Sequence, residues 1–164
     1  MIGKSCVSEF VYNWLEESMY PYRSFLEIGT YDGVTVSKLA TNYPNKDFTV
    51  VDDFSEGHFD LFKKNTENLN NITLIKEDSK KALKKLIDEG KMFDLIFIDG
   101  GHEYECVVED FLNSYEMCSG IIALHDRKYV GVHKAIRHVC QEKYLAEHIM
   151  DDFLSWFEEA NIGG

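Results

Sequence analysis

The sequence predicts a doubly wound, mostly parallel α/β sheet with helices on both faces and an antiparallel hairpin at its C-terminal end. Two observations lead to this fold. Short apolar runs alternate with amphipathic helical segments along the chain. Ionisable side chains follow the apolar runs where strands would end, and sheets of this class bind ligands at that carboxyl edge. These side chains are Glu27, Asp52, Asp78, Asp99, His125 and Asp126.

The composition is that of one soluble globular domain. A chain of 164 residues can bury a core, and its net charge of −12 disfavours nucleic acid or an anionic membrane surface as the main partner. The sequence has no apolar signal core and no apolar run of membrane-spanning length, so we expect a cytoplasmic protein. Four scattered cysteines without a Cys-x-x-Cys pair predict reduced, mostly buried thiols.

An amphipathic helix opens the chain. Apolar residues recur at helical spacing between Ser5 and Tyr20. Either Ser5 or Ser8 can cap the first turn, and Pro21 marks the end of the helix.

The first strand, turn and helix lie between Phe25 and Ala40. Gly29 allows the backbone to bend sharply and approach a ligand, and Gly33 allows a second close approach where the helix begins. The unpaired N–H groups at that helix start can bind an anionic group. The spacing Glu-x-Gly-x-x-x-Gly differs from the Gly-x-Gly-x-x-Gly of dinucleotide-binding proteins, so a pyrophosphate is not predicted.

The second strand ends in Asp52 and Asp53, about 20 residues after Gly29, where an acid of an α/β nucleotide site accepts hydrogen bonds from ribose hydroxyls. Capping of the next helix is the alternative role for either residue. We assign the ribose to Asp52 because it ends the apolar run directly.

Three further strands alternate with helices. The run from Leu95 to Ile98 is apolar throughout, as expected for a strand covered on both faces. It leads into Asp99, two glycines and His102. We expect these strands over residues 72–76, 93–98 and 120–126, and helices over 34–42, 60–67, 80–89, 103–115 and 130–142.

The last segment, residues 144–161, predicts two antiparallel strands with Asp151 and Asp152 in the turn between them. A helix is the alternative, because Trp156 and Phe157 also fit one. We therefore expect a single domain that consists of an N-terminal helix in residues 1–22, a cofactor-binding core in residues 23–142 and a C-terminal hairpin in residues 143–164.

Four motifs in order resemble those of class I S-adenosylmethionine-dependent methyltransferases, over most of the chain. The later motifs are similar to those of a subgroup of small O-methyltransferase-like proteins related to sugar, macrolide and catechol methyltransferases. The motifs are Glu27-Ile28-Gly29-Thr30-Tyr31-Asp32-Gly33, Val51-Asp52, Asp78-Ser79, and Ile98-Asp99-Gly100-Gly101-His102-Glu103-Tyr104 followed by Leu124-His125-Asp126 and Gly131-Val132.

This resemblance implies a Rossmann-like fold, S-adenosylmethionine as cofactor, and methyl transfer to a hydroxyl of a small molecule or sugar. Carboxylates along the cleft suit the cationic sulfonium. Methyl transfer is an in-line displacement, so catalysis is mainly positioning plus deprotonation of the acceptor. The resemblance implies cofactor binding by Glu27, Gly29, Thr30, Tyr31, Gly33, Asp52, Asp53, Asp78, Ser79 and Asp99.

The resemblance also implies a divalent cation at Asp99, His125 and Asp126, as in related metal-dependent O-methyltransferases, where it lowers the pKa of acceptor hydroxyls. Asp99 is thereby expected, with His102, among the catalytic residues. His125 stands where those relatives usually carry an acid. Mg²⁺ prefers oxygen ligands, whereas an imidazole admits Mn²⁺, Fe²⁺ or Zn²⁺ more readily. A histidine at position 125 is also compatible with a site that binds no metal.

His102 is the expected general base, because the unperturbed pKa of an imidazole lies near operating pH. A structural role is the alternative, in which the residue precedes a helix and hydrogen-bonds the glycine turn. His58 could touch the substrate, although a surface position is the simpler interpretation.

Three other functions are compared with methyl transfer to a small molecule. A module that binds S-adenosylmethionine or S-adenosylhomocysteine without catalysis is the main alternative, because the chain has no inserted lid domain; a homodimer could supply the missing wall of the acceptor pocket. A nicotinamide-dependent oxidoreductase is not supported, because the sequence lacks the Gly-x-Gly-x-x-Gly motif of dinucleotide-binding proteins. Nucleic-acid methylation is disfavoured by charge and by Asp99-Gly100-Gly101-His102 in place of an Asn/Asp-Pro-Pro-aromatic motif.

Overall fold

The computed structural model describes residues 7–150 and 154–159, which alternate between strands and helices. The strands are β1 (Ser24–Ile28), β2 (Asp47–Val51), β3 (Ile72–Ile75), β4 (Phe93–Ile98), β5 (Cys118–His125), β6 (Leu145–Ile149) and β7 (Leu154–Glu159). The helices are α1 (Glu9–Ser18), α2 (Val34–Asn42), α3 (Phe59–Thr66), α4 (Ser79–Asp88), α5 (Tyr104–Met117) and α6 (Val130–Lys143).

The strands form one mixed sheet in the order β3-β2-β1-β4-β5-β7-β6. The strands from β1 to β5 pair in parallel, and β7 joins β5 antiparallel before pairing with β6. The predicted doubly wound fold with a terminal hairpin is confirmed. The order reverses between β1 and β4, where Ile28 lies between Val51 and Ile98. A ligand is expected at the carboxyl end of the strands beside this reversal.

Helices cover both faces of the sheet because successive strand residues point to opposite sides. On one face α1, α2 and α3 bury a cluster that includes Leu15, Leu39 and Phe62. On the other face α4, α5 and α6 bury a cluster that includes Leu83 and Phe111. Both faces of the central strands are therefore shielded from solvent by helices, as the apolar run in β4 predicts. Within residues 7–150 and 154–159, none of the helices combines the length and apolarity that crossing a bilayer requires.

The two ends of the chain agree with part of the prediction. Ser8 caps α1, where its hydroxyl accepts a hydrogen bond from the Val11 N–H at 3.3 Å, whereas Ser5 lies outside the described residues. The helical alternative for the tail is wrong, because Trp156 and its neighbours form β7. The predicted turn residues Asp151 and Asp152 also lie outside the described residues.

The expectation of mostly buried thiols is wrong for the exposed Cys106 on α5. Cys118 and Cys140 are half-buried free thiols, and Cys6 lies outside the described residues. Burial raises the pKa of the Cys118 thiol to about 11, so that side chain is a poor nucleophile near neutral pH.

Candidate active site

The loops at the carboxyl edge of the sheet contain unusual backbone. Tyr31 follows β1 with φ of 55°, Phe54 follows β2 with φ of 55°, and Asp126 follows β5 with φ of 59°. A left-handed conformation costs roughly 1–2 kcal/mol for a residue with a Cβ. Such residues persist where the surroundings hold them and often lie at functional sites. Their gathering at one edge of the sheet supports the position predicted for the site.

The two glycines of the first loop allow close packing of protein against protein. Gly29 has φ of +84°, and a Cβ there would lie 2.5 Å from the carbonyl oxygen of Asp99. Gly33 has φ of +75°, and a Cβ there would lie 2.6 Å from the Phe62 ring. The close contacts recorded at these glycines are with protein, because Gly29 meets the loop after β4 and Gly33 meets α3; the predicted approach to a ligand stays a prediction. Gly29 thereby brings the loops after β1 and β4 together.

Glu27 is a buried carboxylate near the end of β1, with 2% of its surface exposed. The Thr30 hydroxyl donates a hydrogen bond of 2.6 Å to its Oε2 atom. Burial raises the pKa of Glu27 to about 8; the Thr30 bond opposes the shift, and the nearby acids Asp99, Asp52 and Asp32 add to it. The groups that act on its charge are thus acids and one hydroxyl. A cationic ligand group beside Glu27 would stabilise its ionised form.

Asp52 links the loops after β1 and β2. Its Oδ2 accepts the Tyr31 N–H at 2.8 Å, and its Oδ1 accepts the Phe54 N–H at 2.7 Å. Asp53 is exposed, and hydrogen bonds from Ser55 hold its pKa below the usual range. Neither acid caps α3, which begins at Phe59, so the capping alternative is wrong. A carboxylate has about four lone-pair sites, so Asp52 retains acceptor capacity for ribose hydroxyls.

Beside the loop after β3 lies a buried acid on α5, Asp110, that the sequence analysis did not predict. Asp78 is exposed and precedes α4, and the side chain of Ser79 lies near the carboxyl group of Asp110 on α5, where it opposes the rise that burial causes in the pKa of Asp110. Asp110 is 4% exposed. Sequence reasoning missed this acid, although it falls at helical spacing with Val107 and Phe111, on the buried side of α5.

Three predicted residues meet between β4 and β5. The Nδ1 atom of His125 lies 2.9 Å from Oδ1 of Asp99 and 3.2 Å from Oδ2 of Asp126. Burial opposes a charged imidazole, but the adjacent Asp126 and Asp99 carboxylates outweigh it and raise the pKa of His125 to about 10. The positive ring offsets part of the negative charge of the two carboxylates, and burial still raises the pKa of Asp99.

His102 extends this cluster toward solvent. Its Nε2 atom lies 2.7 Å from Oδ2 of Asp126, and its side chain is 42% exposed. The ring stacks on Tyr129, with 4.3 Å between centroids and 5° between planes. A Cβ on Gly131 would clash with the carbonyl oxygen of His102, so the start of α6 packs directly against this loop. The imidazole is held by Asp126 and Tyr129 rather than by the glycine turn proposed as its structural alternative.

The donors of Asp99, His125 and Asp126 converge closely enough to hold a metal ion, since their ligand atoms all lie within 4.8 Å of one another. One imidazole nitrogen and two carboxylate oxygens form a set that suits Mn²⁺, Fe²⁺ or Zn²⁺ better than Mg²⁺. The donor set therefore fits a divalent cation in its chemistry.

His58 lies beside the site, and a cavity between helices lies away from it. His58 is half-buried against Tyr31, with 3.6 Å between ring centroids, so it lies closer to the site than a surface position implies. A cavity of about 510 Å³ lies elsewhere, between α1, α2 and α3, and its lining includes Tyr12, Lys38 and Asn65. It contains none of the predicted site residues, so we do not assign the chemistry to it.

Residues 26–127 match a family model described as a methyltransferase domain. The uncharacterized protein R132 of Acanthamoeba polyphaga mimivirus is 33% identical over 95 residues, which are 54% of this chain and 43% of that protein. The chain spans less than half the length of the curated relatives it matches.

Two solved structures have the same fold. The O-methyltransferase from Bacillus cereus, in complex with SAH, has a TM-score of 0.74 at 18% identity, over 96% of this chain and 84% of that chain. The O-methyltransferase TomG from Streptomyces achromogenes, involved in tomaymycin synthesis and in complex with SAM, has a TM-score of 0.75 at 13% identity, over 95% of this chain and 82% of that chain.

Proposed function

Because this chain belongs to the methyltransferase domain family, we propose that it uses S-adenosylmethionine to methylate a hydroxyl group of a small molecule or sugar. The observation that carries this proposal is the carboxyl group of Glu27, which is buried near the acids Asp52 and Asp99 at the point where the strand order reverses and has its pKa raised to about 8. A ligand with a cationic sulfonium and an ammonium group supplies positive charge beside Glu27, where the groups that shift its pKa are acids and one hydroxyl.

The remaining predicted residues surround such a ligand in order along the sheet. The loop from Gly29 to Gly33, with Thr30 and Tyr31, would lie under the amino-acid part. Asp52, with Asp53 beside it, would accept hydrogen bonds from the ribose, and Asp78 with Ser79 would contact the adenine. The Bacillus cereus and Streptomyces achromogenes structures contain SAH and SAM, which supports the choice of cofactor.

The bound cofactor supplies an electrophilic methyl group on a positively charged sulfur. His102 is the group of this chain that we assign to take the proton of the acceptor hydroxyl. With its Nε2 hydrogen directed to Asp126, its Nδ1 atom keeps a lone pair that can accept that proton. Asp126 then stabilises the imidazolium that forms. General bases of this kind contribute typically about 10²–10⁴-fold to a rate.

A divalent cation would be held by Asp99, His125 and Asp126, with Mn²⁺ preferred to Mg²⁺. Its chemistry there would be that of a Lewis acid for the acceptor oxygen. His125 would serve as a ligand only as a neutral ring, so a cation would compete with the proton that its raised pKa retains.

Calorimetric titration of S-adenosylmethionine and S-adenosylhomocysteine, followed by assay of S-adenosylhomocysteine formation with a panel of phenols, catechols and sugars, tests the proposal. Binding with turnover of at least one acceptor class supports it. Binding without turnover favours the non-catalytic module, and absence of binding contradicts both functions. The predicted homodimer is tested separately by sedimentation.

A further inference from the structure

A network of side chains joins the loop after β5 to the hairpin of β6 and β7. The Nε atom of Arg127 donates a hydrogen bond of 2.8 Å to Oε1 of Glu147 on β6. The Ser155 hydroxyl on β7 donates to the same oxygen, also at 2.8 Å. Ser155 is fully buried, and the side chains of Arg127 and Glu147 are each 19% exposed. The proposed chemistry uses none of these three side chains.

Asp126 lies between two attachments of this loop to the hairpin. Before it, His125 pairs with Leu154 of β7 through the backbone. After it, Arg127 is bound to Glu147 through the side chain. Asp126 itself has a left-handed backbone, with φ of 59°. A residue with a Cβ keeps this conformation where its surroundings impose it, and the two attachments provide such surroundings.

The turn that begins at Asp126 carries both groups that contact the ring of His102. The Tyr129 N–H donates to the Asp126 carbonyl oxygen at 3.0 Å, so residues 126–129 form a tight turn. Oδ2 of Asp126 lies 2.7 Å from Nε2 of His102, and the Tyr129 ring stacks on the imidazole. A change in the backbone of this turn would therefore move both groups relative to His102.

Stability alone gives little reason for a charged pair at this place. Arg127 and Glu147 are mostly out of water, and the desolvation of such a pair offsets much of its attraction. Apolar side chains of similar volume often stabilise a fold as well or better. The pair supplies a fixed geometry instead, because a planar guanidinium binds a carboxylate in a defined orientation.

We propose that Glu147 is a positioning residue for proton transfer, because it fixes, through Arg127, the turn whose groups hold His102 in place. The inference rests on the proposed function, which assigns His102 to the proton of the acceptor hydroxyl. It gives the hairpin, which lies outside the parallel part of the sheet, a role in catalysis. A displacement of about 1 Å at a catalytic group can cost about 10²-fold in rate.

The ring protons of His102 test the geometry in solution by NMR, without an acceptor. Protons that stack on a phenol ring resonate upfield of their usual position, and Tyr129→Leu defines the unstacked reference. Glu147→Gln keeps the size of the side chain and removes its charge, so it should move the His102 ring protons most of the way to that reference. Arg127→Gln should have the same effect.

Turnover separates positioning from a general loss of structure. Glu147→Gln should lower kcat by about tenfold or more with less than about a twofold change in KM. In a His102→Ala background the same substitution should have no further effect on kcat. The control Glu158→Gln breaks the exposed pair of Glu158 with His148, 2.9 Å apart on the same hairpin, and should behave as wild type in both measurements.

Wild-type positions of the His102 ring protons in both Glu147→Gln and Arg127→Gln would overturn the inference. An equal loss of kcat with and without the His102 imidazole would also overturn it. If thermal unfolding shows that Glu147→Gln does not fold, Arg127→Gln, which leaves both strands of the hairpin unchanged, replaces it in each measurement. If no acceptor is turned over, the proposed function fails, whereas the ring protons still show whether Glu147 positions His102.

Discussion

Ionisation of Glu27 should be coupled to cofactor binding. With a pKa of about 8 in the ligand-free protein, Glu27 is about 1% ionised at pH 6 and about 9% ionised at pH 7. If the ligand's positive groups require the ionised form, the affinity rises about ninefold between these two pH values. The ammonium group of the ligand stays mostly protonated over this range.

The coupling can be measured directly as protons. Calorimetric titration of S-adenosylmethionine at pH 7.0, in two buffers with different ionisation enthalpies, should report the release of nearly one proton per molecule bound. Glu27→Gln should bind more weakly and release almost none, whereas the control Asp53→Asn at the same edge should release as much as wild type. Release of no proton by the wild-type protein, with an affinity equal at pH 6 and pH 7, would refute the assignment of Glu27 to the cationic end of the ligand.

The same carboxylate predicts a pH-dependent stability. The folded-state pKa of Glu27 is raised from 4.5 to about 8, so the folded protein holds this proton more tightly than the unfolded chain does. The contribution of Glu27 to the free energy of unfolding therefore falls between pH 4.5 and 8, by at most about 5 kcal/mol. Glu27→Gln, which cannot ionise, should stabilise the ligand-free protein at pH 8 and have little effect at pH 4.5. Equal changes in urea midpoint at both pH values would contradict the predicted shift.

Four further predictions follow from the site. His102→Ala should lower turnover by roughly 10²–10⁴-fold without changing cofactor affinity, whereas the hairpin variant His148→Ala should keep wild-type turnover; loss of stability alone would make His102 structural. Asp52→Asn should weaken S-adenosylhomocysteine binding at least tenfold in calorimetry, because two charge-assisted ribose contacts are lost; unchanged affinity removes the ribose assignment. Mn²⁺ should raise the Tm of the wild-type protein more than Mg²⁺ does, and Asp126→Asn, which still tolerates a positive φ, should reduce that shift; equal responses of both proteins argue against the site. Gly29→Ala should lower the free energy of unfolding by at least about 2 kcal/mol in urea, because it adds a Cβ against the Asp99 carbonyl; a neutral result would contradict the packing of the two loops.

Local patterns in the sequence determined most of the fold. The strands were predictable because each apolar run is short, bounded by turn residues and followed by a segment of helical period. The sheet edge was predictable because strand ends and ionisable residues coincide at Asp52, Asp99 and Asp126. The convergence of Asp99 with His125 follows from the parallel pairing of β4 and β5.

Residues whose roles depend on a neighbouring element were harder to predict. The sequence contains no sign that Gly29 faces the Asp99 carbonyl or that Gly33 faces Phe62, because both contacts join distant segments. Asp110 resembles any polar residue of a helix until α4 places Ser79 against it. The partner of His102 also depends on the left-handed backbone of Asp126, which positions that carboxylate beside both imidazoles.

Amide chemical shifts test most directly whether the cofactor binds at the carboxyl edge of the sheet. ¹⁵N-labelled protein is titrated with S-adenosylhomocysteine, and the shifted amides are mapped on the fold. We expect changes at Tyr31, Ser79 and Gly100, at the carboxyl edge of the sheet. Changes confined to the cavity between α1, α2 and α3, around Lys38 and Asn65, would contradict it, as would the absence of any change at saturating ligand.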